Sequence, residues 1–310
     1  MPEASLRSFL NLALALVAAG LLLAALLPGL GLGWRSDLLQ HARLHLLVLA
    51  LVLLLTALWR RRWSSAAVLA LAVGLTGVPV GVAVTQMAAV AEEGEPGTRL
   101  RVMTFNLAWP NGDLAAIEAE ILGADPDLLF LTEVADRHAP LIERLKAHYP
   151  SRQSGLTDQL FSRLPLASPQ RIRSETYTSL WLLESALAGE PLTIAAGHPY
   201  PPIGDKWDRV NALWFSQARA ALAGIEGRVI LLGDLNATPW CQRLRELLHY
   251  AGLRRAGGWL GTWPTHLPAW AGIAIDQVLV SDKFRVLGRY TTPGAGSDHR
   301  GLVVDLLLPS

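Results

Sequence analysis

The chain has a single cysteine, Cys241, among its 310 residues. An intrachain disulfide framework is therefore excluded, and any domain in an oxidising compartment must be held by its core alone. A zinc site built on a histidine and cysteine cluster is disfavoured on the same ground. Charge is also sparse, at 17% Asp, Glu, Lys and Arg with a net of +1. Residues 91–310 hold 21 Lys/Arg against 24 Asp/Glu, a net of −3. A surface that grips nucleic acid non-specifically carries a basic stripe, and none is visible there. Internal repeats and low-complexity segments are absent too, which excludes solenoids.

What is abundant is apolar sequence: 51% of the residues, with a mean hydropathy of +0.31. The excess lies at the front. Phe9–Leu30 runs 22 residues without a charge, Leu44–Trp59 runs 16, and Ala66–Val90 runs 25 with Pro79 inside it. A helix needs roughly 17–25 residues to cross a bilayer. These segments predict a membrane anchor of three transmembrane helices over residues 1–90. Arg60, Arg61 and Arg62 lie between the second and third segments and favour the cytoplasmic side. The N-terminus is then inside, and everything after Val90 is outside the cytoplasmic membrane. A cleaved signal peptide fits poorly, because two more apolar segments follow the first.

Ala88–Thr98 loses hydrophobic periodicity and gathers Glu, Gly and Pro. Residues 91–98 are read as a linker, and residues 99–310 as the outer domain. Buried strands are expected at Leu100–Phe105, Asp127–Leu131, Leu192–Ala196, Arg228–Leu232, Ile275–Val280 and Gly301–Leu307. Helices are expected at Leu114–Leu122, Ala139–His148 and Asp205–Leu222, and residues 159–187 alternate as antiparallel strands do. Strands outnumber helices, which predicts a layered α/β or α+β sandwich.

Polar residues stand where these apolar runs end. Asp234 and Asn236 in G-D-L-N-A-T-P-W are two apart, and point the same way off an extended segment. Such a pair can position a water and a phosphate oxygen; an ordinary Asp/Asn turn is the plainer alternative. Asp276 sits inside the apolar run I-A-I-D-Q-V-L-V, where a charge is expensive unless paired. His299 in S-D-H-R is its obvious partner, and Asp298 beside it can bind a hard cation. Asn106 in T-F-N-L, Glu133 in L-T-E-V and His198 in G-H-P-Y-P-P complete the set. Taken singly, each has a structural explanation. Taken together, at successive strand ends, they point to a divalent metal and a phosphate ester.

In this order the motifs resemble the endonuclease/exonuclease/phosphatase superfamily, over roughly residues 99–310 and including F-S-R-L-P-L at Phe161–Leu166. The resemblance implies a four-layered α/β sandwich of two mixed sheets flanked by helices, and a metal-dependent phosphoester hydrolase. By match of motif, Glu133 resembles the principal Mg²⁺ ligand, with Mn²⁺ as a substitute, and the resemblance puts Asn106 and Asp298 in or near the metal shell. Asp234 is similar to the residue that positions or deprotonates the attacking water. Asn236 and His299 resemble phosphate ligands, Asp276 orients His299, and His198 resembles a general acid. Ala108 departs from members that carry an acidic residue there, which favours one metal over two.

The anchor directs the choice of substrate. Three N-terminal helices followed by G-D-L-N-A-T-P-W resemble a membrane-anchored bacterial branch associated with glycopeptide resistance, which implies a polyprenyl pyrophosphate or another membrane lipid as substrate. An extracytoplasmic nuclease is the alternative, and a non-catalytic, membrane-tethered sensing module is a third reading. Gly257–Ile275 carries Trp259, Trp263 and Trp270, either as an interfacial loop or as core packing.

Overall fold

The computed structural model describes residues 2–30, 33–107, 113–173 and 179–310. They divide into two compact units: residues 1–85, with 203–205 grouped to them, and the remainder.

The first unit holds α1 (Pro2–Leu26), α2 (Trp34–His41), α3 (Arg43–Trp59) and α4 (Trp63–Thr85). Two spans, Ser8–Leu26 and Trp63–Thr85, are each long and apolar enough to cross a membrane. The middle segment reaches that length only as the pair α2 and α3, bent by 67°. Of the three expected transmembrane helices, two are found at full length, and a third only if the bent pair is counted as one span. Small residues such as Ala18, Ala50, Ala57, Ala66 and Ala72 fill the interior of this unit, while Phe9, Leu16, Leu55 and Val78 face outward. That is the reverse of a water-soluble bundle, and small residues at helix contacts are the usual device in lipid.

The second unit begins earlier than the composition suggests. Residues 86–90 belong to it rather than to the last helix. Its elements are β1 (Gly97–Asn106), α5 (Leu114–Ala124), β2 (Leu128–Thr132), α6 (Ala139–Leu145), β3 (Ser151–Ser154), β4 (Gln159–Ser162), β5 (Ala167–Arg173), β6 (Ser179–Leu187) and β7 (Glu190–Gly197). After these come α7 (Asp205–Leu222), β8 (Arg228–Asp234), α8 (Gln242–Tyr250), β9 (Leu253–Arg255), β10 (Asp276–Ser281), β11 (Arg285–Thr291) and β12 (Leu302–Pro309). The strands form two six-stranded sheets, ordered β11-β12-β1-β2-β4-β3 and β5-β6-β7-β8-β10-β9.

Alternation along the strands explains the layers. Val102, Phe130, Ile194, Ile230, Leu232, Val278 and Val304 point between the sheets and form one core. Their neighbours point the other way: Met103, Phe105 and Leu129 meet α5 and α6, and Ala195, Leu231 and Leu279 meet α7 and α8. Both faces of the central strands are buried, so those strands read as continuous apolar runs. The result is helices, sheet, sheet, helices.

The segment after Thr85 covers one edge of each sheet. Ala88 N donates to Arg255 O and Arg255 N to Gln86 O on edge strand β9, while Val286 N donates to Ala89 O and Ala91 N to Val286 O on edge strand β11. Sheet edges need such cover. A fragment starting at residue 92 is expected to be about 3 kcal/mol less stable in urea unfolding than one starting at residue 86, at about 1 kcal/mol or less per bond lost.

Candidate active site

Strand direction gathers the site. β1 and β2 run parallel, as do β7 and β8, while β10 runs antiparallel to β8 and β12 antiparallel to β1. The C-terminal ends of the first four strands and the N-terminal ends of the last two therefore meet at one end of the sandwich. Asn106 and Asp234 are last residues of strands, Glu133 and His198 follow strands directly, Asp276 opens β10 opposite Asp234, and His299 lies just before β12.

Asn106 is fully buried, and its Nδ2 donates to Glu133 Oε1 at 2.8 Å and to Asp234 Oδ2 at 3.0 Å. One amide thus holds two carboxylates together. It presents its nitrogen here, and so acts as a donor that spaces the acids. His198 Nε2 lies 3.8 Å from Glu133 Oε1 and 3.6 Å from Asp234 Oδ2, and has no hydrogen-bond partner among the described residues. Glu133, His198 and Asp234 form one group able to hold a cation; Asp234, Asp276 and His299 form another. Asp234 belongs to both.

Asp234 is 1% exposed, and its Oδ1 accepts the backbone N–H of Asn236 at 2.9 Å. That turn puts Asn236 at φ +48, a conformation asparagine tolerates, and its Nδ2 donates to Pro199 O at 2.9 Å. Glu133 also has positive φ, +55, which is costly for glutamate and characteristic of functional sites. Gly233 is obligatory: a Cβ there would stand 1.9 Å from Gly197 O. Gly233→Ala is expected to cost about 3 kcal/mol in thermal unfolding, because two strand backbones must part.

Asp276 Oδ2 and His299 Nδ1 are 2.9 Å apart, both buried. Burial opposes charge on the imidazole, but Asp276 and then Asp234 outweigh it and raise its pKa to about 10. Burial also pushes the Asp276 carboxyl upward, against the pull of His299. Without a cation, His299 is therefore an imidazolium across the neutral range, and loses its proton only as pH approaches that raised value. Histidine NMR on Asp276→Asn should show the pKa falling, since burial would remain and the leading attraction would be gone. A wild-type His299 titrating near 6.5 would contradict this.

Asp298 is exposed, its carboxylate accepting from Trp263 Nε1 at 2.9 Å and lying 4.0 Å from His299 Nε2. It sits beside His299 rather than in the group around Glu133. Trp259 stacks on Trp240, with ring centroids 5.9 Å apart, whereas Trp270 is 81% exposed. Ala108 lies outside the described residues.

Some site residues escape a reading by motif. Ser297 Oγ donates to Asn106 O at 2.7 Å and accepts from His299 N at 3.0 Å, tying β1 to the S-D-H-R segment. Glu120 on α5 accepts from Gly294 N at 2.7 Å and fixes the same loop. Asp158 is buried near His198; burial pushes its carboxyl upward, and the imidazole is the leading charge opposing that.

A four-layered α/β sandwich that gathers carboxylates, amides and imidazoles at one sheet end is the class of protein that fold and site define. The model of the Endonuclease/Exonuclease/phosphatase family matches residues 103–299, well over half of the chain, and the chain belongs to that family. No curated protein matches it in sequence. Among solved structures it is similar to an endonuclease/exonuclease/phosphatase from Beutenbergia cavernae, at 21% identity and TM-score 0.57, covering 69% of this chain and 72% of that one. D. rerio TDP2 in complex with a single-strand DNA product shares 15% identity at TM-score 0.56, covering 67% and 98%. The human Nocturnin catalytic domain with a bound sulfate anion shares 19% at TM-score 0.51, covering 68% and 95%. At these identities the likeness concerns the fold.

Proposed function

We propose that the protein is a membrane-anchored, divalent-cation-dependent phosphoester hydrolase acting outside the cytoplasmic membrane on a lipid-linked phosphate or pyrophosphate. The observation that carries this is Asp234, shared by two acid–imidazole groups at the meeting point of six strands. The donor set fits Mg²⁺ or Mn²⁺: two carboxylates held within reach of each other by one amide repel unless a cation lies between them, and Glu133 is exposed enough to leave room for water ligands. Glu133 and Asp234 would hold the ion, whereas Asp298 stays bonded to Trp263 beside His299. When bound, the ion would polarise the phosphoryl oxygen and offset developing charge.

The remaining chemistry belongs to the chain. Asp234 orients the attacking water and takes its proton. Asn236 keeps one amide hydrogen for a phosphate oxygen, beyond its bond to Pro199 O. His299, oriented by Asp276 through the Nδ1 contact, faces the phosphate. His198 Nε2, beside Glu133 and Asp234 but without a hydrogen bond among the described residues, gives a proton to the leaving oxygen. The lipid side of the reading rests on α1 and α4, on the outward apolar residues of the first unit, and on the net of −3 after residue 90. These features accord with three spans, with α2 and α3 as the broken one, and with the resemblance to the membrane-anchored, glycopeptide-resistance-associated branch. The positive Arg60–Arg62 loop supports an orientation with the catalytic domain outside.

The test is phosphate release by the detergent-solubilised full chain from a prenyl pyrophosphate with Mg²⁺, beside plasmid DNA. Turnover of the lipid, abolished by EDTA, supports the proposal. A nuclease is the second reading, favoured by the DNA product held in the similar D. rerio structure; cleavage confined to DNA would establish it instead.

A further inference from the structure

A cavity of about 890 Å³ opens beside Glu133 and His198, and the hydrolase chemistry makes no use of it. Its volume is within the range of small-molecule sites, roughly 300–1,000 Å³. Val134, Leu156, Tyr200 and Pro201 supply apolar walls. Tyr200 is backed by Trp207, with ring centroids 4.4 Å apart, so that wall is rigid. Leu156 is 63% exposed at the turn between β3 and β4, an unusual place for a leucine with only a structural task. The turn is fastened to the metal-side strand, where Val134 N donates to Thr157 O at 2.8 Å. Asp136, Asp158 and Glu133 also line the cavity, and Arg137 and His198 stand among the same lining residues. With charge of both signs at the opening, it is the apolar walls that favour an uncharged chain over a second phosphate of a nucleic-acid strand.

We propose that this cavity is a subsite for the hydrocarbon part of the substrate, adjoining the phosphate. The proposal deepens the hydrolase reading and rests on it. Ethyl-, butyl- and hexylphosphonate serve as probes, short enough to stay in water. Each is tested as a competitor of Mg²⁺-dependent hydrolysis of bis-p-nitrophenyl phosphate by the detergent-solubilised full chain. Each methylene that enters the cavity should tighten inhibition about three- to fourfold, so hexylphosphonate should bind at least about tenfold tighter than ethylphosphonate. Leu156→Asp, at an exposed position that does not threaten folding, should flatten the series. Equal inhibition constants across the wild-type series would overturn the subsite and leave the hydrolase reading intact. A single-stranded oligonucleotide that competes better than hexylphosphonate would assign the cavity to nucleic acid and overturn the proposal. Absence of any Mg²⁺-dependent turnover would overturn the hydrolase reading and this one with it.

Discussion

Asp234→Asn is expected to lower kcat by about 10³–10⁵ while changing the stability of the cation-free protein little. Two opposing effects are involved. In catalysis, the carboxylate orients and deprotonates the water and helps hold the cation, effects worth roughly 10²–10⁴ and 10²–10³ when removed singly. In folding, Asp234 is a buried acid between Glu133 and Asp276, lying with each in a group of close ligand atoms, so its charge opposes theirs when no ion is bound. Asparagine keeps the shape and can still accept from Asn236 N, but it gives up the acceptor for Asn106 Nδ2 and the attraction to the His299 imidazolium, which offsets the relief of repulsion. Phosphate release together with thermal unfolding in EDTA checks both halves. A variant with reduced stability and intact turnover would mean that the residue is structural.

Glu133→Gln should weaken divalent-ion binding at least about 100-fold, because a neutral amide replaces the ligand most open to water. The linked stability readout is independent of turnover. Wild type saturated at a hundred times the dissociation constant gains about 2.7 kcal/mol, while the variant at the same concentration gains almost nothing. Titration of Mn²⁺ during thermal unfolding separates the two. An equal gain in both would move the cation away from Glu133.

The strand ends were legible in sequence because each central strand is buried on both faces. A charge or amide that ends such a run, as at Asn106, Glu133 or Asp234, is conspicuous against it. The Asp276–His299 pairing followed from the same reasoning, since a carboxylate inside I-A-I-D-Q-V-L-V needs a partner. Asp158 was not legible: in S-G-L-T-D it has the composition of an ordinary hairpin turn, and only the packing of β3 and β4 brings it to His198. Ser297 and Glu120 act through single hydrogen bonds to backbone, which leave no spacing signal. Residues 86–90 continued the apolar run of α4, which hid their pairing with β9 and β11. The helix α8, Q-R-L-R-E-L-L-H-Y, carries Leu244, Leu247 and Leu248 at helical spacing and could have been found by its period. β11 is interrupted by a bulge at Gly288, which breaks the alternation that marks a strand.

The most direct measurement is anomalous diffraction from crystals of the full chain soaked in Mn²⁺. A peak within about 2.2 Å of a Glu133 carboxylate oxygen, close to Asp234 and in reach of a water, is the expected result. A peak elsewhere, with none between Glu133 and Asp234 at saturating Mn²⁺, would contradict a cation-dependent hydrolase at this end of the sandwich.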